Sequence, residues 1–176
     1  FDGYVDTYNY GCFTDPAGVY PDDWIVVGAL GDVYCGEMGT YTTAETGLRD
    51  FDWYAYEITG QVGLLKAHVE GEFEPDVYLL TGSCPAYIIS EGVGGECDDV
   101  IAAGALPTGL YYIAVSCFGD VECGTPYNFW LTQETAGCCV ITEEVQGETS
   151  EPVCLALGGT WTGGVNCGEP NPCGTQ

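Results

Sequence analysis

Basic residues are the scarcest part of this sequence: lysine and arginine together number 2 against 27 acids, a formal net charge of −25 at pH 7 over 176 residues. A chain so charged repels nucleic acid phosphates and anionic lipid, so neither is expected as a partner. It draws divalent cations, or else simply carries a solvated acidic surface. Histidine occurs once, at His68. A serine or cysteine triad needs a positioned base, and the alternation around His68 places it as decoration on a strand surface. No C-x-x-C pair occurs, which argues against a zinc site. No glycine-rich phosphate loop precedes a helix. No run of about 18 apolar residues exists, so no membrane-spanning helix is expected. None of Asn9, Asn128, Asn166 or Asn171 heads a glycosylation sequon. A glycosidase-type carboxylate pair is not excluded by counting acids. Yet no acid stands in a recognisable strand-end or helix context beyond the turns, and the expectation is that the chain is not an enzyme.

Apolar residues make up 46% of the chain and aromatics 13%, enough for a core, while 27 glycines and 9 prolines demand many turns. That combination suits short strands better than long helices. Eleven cysteines without metal-type spacing point to disulfides in an oxidising compartment. An odd count leaves one thiol free or paired with another molecule. Phe1 rather than Met stands first, as expected after removal of a signal peptide.

The stretch Arg49 to Thr59 organises the rest. Trp53, Ala55 and Glu57 alternate with Tyr54, Tyr56 and Ile58, the period of a strand. Similar strands are expected at Trp24–Leu30, Val33–Cys35, Val62–Glu70, Asp76–Thr81, Ala86–Ser90, Asp98–Ala103, Leu110–Cys117 and Tyr127–Gln133. In Val62–Glu70, Leu64, Lys66, His68 and Glu70 face away from Leu65, Ala67 and Val69. Met38–Leu48 reads as a loop or edge strand and Glu91–Cys97 as a glycine-rich loop. Strands at about 8–12-residue spacing, divided by turn signals such as Leu106-Pro107-Thr108-Gly109, predict an all-β antiparallel β-sandwich. Residues 1–11 form an aromatic arm with Phe1, Tyr4, Tyr8 and Tyr10, residues 12–134 the sandwich, and residues 135–176 a small cysteine-rich appendage. The arm reads either as a first strand on its own sandwich or as a strand added to a neighbour's sheet edge. The appendage is too small to bury a core and needs disulfides; Ser150 is placed to cap a short helix with Pro152 near its start.

Arg49-Asp50-Phe51-Asp52-Trp53-Tyr54, Asp76-Val77-Tyr78-Leu79-Leu80, Leu106 through Val115, and Tyr127-Asn128-Phe129-Trp130-Leu131 together resemble the bacterial pre-peptidase C-terminal (PPC) type β-sandwich. The resemblance runs from about Cys12 to Glu134. It implies a jelly-roll-like accessory module of a secreted protein that is not itself a catalyst, with relatives that bind calcium or extracellular polymers. Cys138-Cys139, Cys154 through Trp161, Cys167 and Cys173 resemble a cysteine-rich repeat of secreted planctomycete-type proteins. That repeat is expected to carry six cysteines, with a third soon after the initial pair. The segment 140–153 has none, so one tail cysteine lacks a partner.

In the body, Cys84 and Cys97 bracket a loop of 12 residues, and a local disulfide there is expected to contribute on the order of 3 kcal/mol. Cys117 and Cys123 flank a hairpin and form the second expected pair, leaving Cys12 with Cys35. Asp50 and Asp52 lie two apart on an extended segment and face one side. With Asp15, Asp22 or Asp23 they could supply oxygen ligands for calcium, or else they cap turns. The leading functional expectation is a secreted, self-associating structural protein, with copies of itself as partners. The alternative is a binding module for extracellular polysaccharide or another polymer, with Tyr4, Tyr8, Tyr41, Tyr87 and Trp161 as stacking surfaces.

Overall fold

The computed structural model describes residues 24–42, 47–60, 63–135, 137–141, 144–149, 154–155 and 160–163. The arm residues Phe1, Tyr4, Tyr8 and Tyr10, the acids Asp15, Asp22 and Asp23, and Cys12, Ser150, Pro152, Cys167 and Cys173 lie outside these.

Fourteen strands run through the described residues: β1 Ile25–Val26, β2 Tyr34–Met38, β3 Thr40–Thr42, β4 Gly47–Arg49, β5 Asp52–Ile58, β6 Gly63–Gly71, β7 Glu74–Thr81, β8 Ile88–Val93, β9 Val100–Leu106, β10 Gly109–Phe118, β11 Thr125–Thr135, β12 Gly137–Ile141, β13 Glu144–Thr149 and β14 Thr160–Gly163. A five-stranded sheet has the order β1-β5-β10-β7-β8 and a four-stranded sheet the order β2-β11-β6-β9. Strand β7 pairs antiparallel with both β10 and β8, and β11 pairs antiparallel with β2. The parallel pair is β1 with β5, through Ile25 opposite Tyr54 and Val26 opposite Ala55. The fold is therefore the all-β antiparallel sandwich that the strand spacing predicted.

The described residues cluster into two compact units. The larger holds 24–56, 66–103 and 110–132. In it the two sheets meet through the ring of Tyr54 on β5, stacked on that of Phe129 on β11 with centroids 4.1 Å apart. Val77, Leu79, Ile113, Val115 and Phe129 are fully buried. The inward alternation of β6 holds, with Ala67 and Val69 at 0% exposure. The smaller unit includes 57–65, 104–109 and the residues from 133 onward. It contains the three-stranded sheet β13-β12-β14, with Cys138 opposite Glu148 and Thr162. Cys154 and Leu155 are helical, and Cys154 is buried and disulfide-bonded.

Strand β5 departs from simple alternation. Trp53, Tyr54 and Ala55 are all buried, so both faces of the strand are covered. Trp53 and Ala55 pack with Leu80, Tyr112 and Ala114, and Trp24, Phe51, Tyr78, Cys84 and Ala86 flank this second cluster. The ring of Trp24 lies 4.5 Å from that of Tyr112. Aromatic bulk on the outer face of the five-stranded sheet thus builds a satellite core from residues that alternation assigns to solvent.

The body cysteines do not pair as expected. Cys35, Cys97 and Cys123 are exposed free thiols, and Cys84 is disulfide-bonded to neither Cys97 nor Cys123. The reason is direction. Cys84 packs against the satellite core, whereas Cys97, at φ 63°, is tied by its N–H to the Gly71 carbonyl at 2.8 Å. Cys117 is buried, its thiol 3.9 Å from the Gly39 carbonyl, while exposed Cys123 faces the Thr40 carbonyl at 3.4 Å. Cys35 stands on the exposed face beside Asn128, 3.7 Å from its side-chain oxygen, so the expected bond to Cys12 is absent.

Candidate functional site

Asp52 is engaged by the core of the sandwich. Its carboxylate accepts from the buried Tyr127 hydroxyl at 2.5 Å, and the Tyr127 hydroxyl meets that of Tyr54 at 2.8 Å. Gly36 opposite Tyr127 makes room for this ring, since a Cβ there would lie 2.3 Å from it. Burial pushes both phenols well above their usual range; the neighbouring hydroxyl opposes the rise at Tyr54, and Asp52 reinforces it at both. Asp50 accepts from the Phe51 N–H at 3.0 Å. The two acids serve the turn and the core respectively. Among the described residues no group of three or more His, Cys, Asp or Glu is placed to hold a metal ion.

His68 is not surface decoration. It is 9% exposed, and both ring nitrogens are engaged. Nδ1 lies 3.1 Å from Asp99 and Nε2 lies 2.9 Å from the Thr132 hydroxyl. The imidazole stacks on Trp130, centroids 4.9 Å apart and planes 11° from parallel. The order carboxylate, imidazole, hydroxyl matches that of a hydrolytic triad, but the indole closes one face of the ring. As built, the cluster ties two strands, β6 and β11, to the loop before β9 through satisfied polar contacts. His68→Ala is expected to lower the unfolding free energy by about 1–3 kcal/mol, measured by urea titration, because Asp99 and Thr132 lose their shared partner. A fluorophosphonate probe is expected to leave Thr132 unlabelled; labelling that depends on His68 would reverse this assignment.

Among the described residues, two of the exposed surfaces are shaped to meet partners. One is an acidic cleft of about 460 Å³ lined by Glu72, Glu74, Glu96, Asp120 and Glu122, with Phe73 and Phe118 among its walls. The other is the edge at β8. Tyr87, Ile88 and Val93 are 68%, 60% and 56% exposed there. Strand β8 ends the five-stranded sheet, and among the described residues no further strand pairs with it. Its inner side is closed by β9: a Cβ on Gly92 would lie 2.3 Å from the Ile101 carbonyl oxygen, and Ala103 N–H donates to Ser90 at 3.3 Å. The sequence placed Tyr87 on the surface but read Glu91–Val93 as loop, so an apolar strand end was missed there. The signal was β-branched residues at Ile88, Ile89 and Val93, obscured by Gly92.

No protein-family model matches the chain, and no curated protein matches it. The chain is similar to the pre-peptidase C-terminal domain of collagenase from Bacillus anthracis, at 15% identity over 64% of this chain and 97% of that one, with a TM-score of 0.48. It is also similar to PliG of Aeromonas hydrophila, a periplasmic inhibitor of g-type lysozyme, at 15% identity over 62% of this chain and 95% of that one, with a TM-score of 0.38. Among the described residues no helix is long and apolar enough to cross a membrane.

Proposed function

We propose that the chain is a non-catalytic, extracellular structural protein whose copies associate through the β8 edge. The observation that carries this reading is the exposed apolar strand end formed by Tyr87, Ile88 and Val93 at an open sheet margin. An edge strand presents unpaired N–H and C=O groups in a row, which a second extended segment can satisfy. The burden of −25 charges per copy opposes contact. Association is therefore weak at low ionic strength and strengthens as salt shortens the Debye length from about 30 Å at 0.01 M to about 8 Å at 0.15 M.

Sedimentation velocity of the full chain across that salt range tests the reading. Larger species are expected to grow with salt, and Ile88→Lys is expected to remain monomeric with an unchanged melting temperature. A wild-type chain that stays monomeric throughout would overturn it.

A second reading is favoured by the exposed ring of Tyr87: a module that stacks on extracellular polysaccharide. Saturable glycan binding lost in Tyr87→Ala, by a chain that stays monomeric, would select it.

A further inference from the structure

We propose that the segment received by the β8 edge is the aromatic stretch 1–11 of another copy, so that copies join head to tail. This rests on the edge-association reading above and names its occupant.

The sheet order carries the argument. Strands β1 and β8 lie at opposite margins of the same five-stranded sheet. Residues 1–23 lead into the β1 margin, and that strand is two residues long. Donor and acceptor are therefore different places on the molecule, and the contact between copies is heterologous. Such contacts propagate into open chains unless the rotation between copies closes a ring. A β8-to-β8 contact would be self-complementary and would stop at a dimer.

Length and composition fit. Residues 12–23 separate the stretch from β1 and span up to about 40 Å when extended. Within 1–11, Tyr4, Tyr8 and Tyr10 share one strand parity, and Phe1 and Val5 share the other. Both faces of an added strand would thus carry apolar groups, matching an acceptor margin with Tyr87, Ile88 and Val93 exposed. Glu91 on β8 and Asp2 and Asp6 on the stretch have like charge. The affinity must come from main-chain hydrogen bonds and apolar contact, and must rise with salt. A slender strand also fills the edge with less face-to-face repulsion than two whole bodies would meet.

The test uses the full chain at a salt concentration where it associates, with a synthetic peptide of sequence FDGYVDTYNYG as the probe. The labelled peptide is expected to bind the wild-type chain, to bind Ile88→Lys at least about tenfold more weakly, and in excess to shorten the assemblies. The full-length double variant Tyr4→Ser/Tyr8→Ser is expected to lose assembly while still binding peptide. If that variant assembles like wild type and Ile88→Lys does not, the edge reading stands and the stretch is not its occupant. If peptide and double substitution leave sedimentation unchanged, yet the double variant exposes a new peptide site, the stretch covers its own edge and the proposal falls. If Ile88→Lys assembles normally, the edge reading falls as well.

Discussion

Phe129→Ala is expected to lower the unfolding free energy by about 3–5 kcal/mol, a large share of the roughly 5–15 kcal/mol that holds a domain of this size. Phe129 is fully buried. Its ring stacks on Tyr54 at 4.1 Å with planes 28° apart, and a second contact reaches Tyr34 at 6.2 Å. Strand β11 contributes the phenylalanine and β5 the tyrosine, so the stack is where one layer grips the other. Truncation removes the apolar transfer term and leaves a cavity. The β-strands on both sides are held by their own ladders and cannot collapse into it. Phe129→Leu keeps most of the volume and is expected to cost less than half as much. Urea unfolding followed by far-ultraviolet circular dichroism reads both. An alanine variant within about 1 kcal/mol of wild type would mean that the layers are held elsewhere.

Raising the pH is expected to unfold the protein cooperatively above about pH 10. Tyr54 and Tyr127 are buried with their hydroxyls in contact, and both phenols are held protonated beyond their ordinary range, chiefly by burial. In the unfolded chain they ionise near pH 10. Above that pH the unfolded state binds fewer protons than the folded one, so stability is full below pH 10 and is lost as pH rises. Each group held protonated in the fold costs about 1.4 kcal/mol for every pH unit above its unfolded pKa, and the two phenols act in the same direction. The chain has 13 tyrosines. Tyrosinate absorbance should rise in two stages, exposed phenols first and the Tyr54–Tyr127 pair only together with loss of β signal. A single reversible titration near pH 10, with the fold intact, would show that the pair is open to water.

Most strands were legible because period two is a local signal. Asp76–Thr81 and Leu110–Cys117 became β7 and β10 with changes of one or two residues at their ends. Trp24–Leu30 shrank to Ile25–Val26, since the Gly28–Gly31 region turns instead of pairing. What was not legible depends on distance along the chain. The Asp52–Tyr127–Tyr54 hydrogen bonds join residues 73 and 75 apart, and His68 meets Asp99 and Thr132 from 31 and 64 residues away. No pattern within a strand announces such meetings. The cysteine pairing failed for a related reason: Cys84 and Cys97 are near in sequence, but one packs on the satellite core and the other is tied to the Gly71 carbonyl.

The tight seating of Gly92 beneath the Ile101 carbonyl restricts how this margin can be guarded over evolutionary time. Natural sheets commonly shield a margin with lysine, proline or an inward-pointing charge. A side chain added at Gly92 would collide with main chain 2.3 Å away, so no guard can be installed from within. With two basic residues in the whole chain, lysine guards are scarce outside as well. Dispersion of the molecule is then left to its overall anionic character, as for a charge-stabilised colloid. Under the proposed edge association, dilute fresh water would keep copies apart and brine would let them gather.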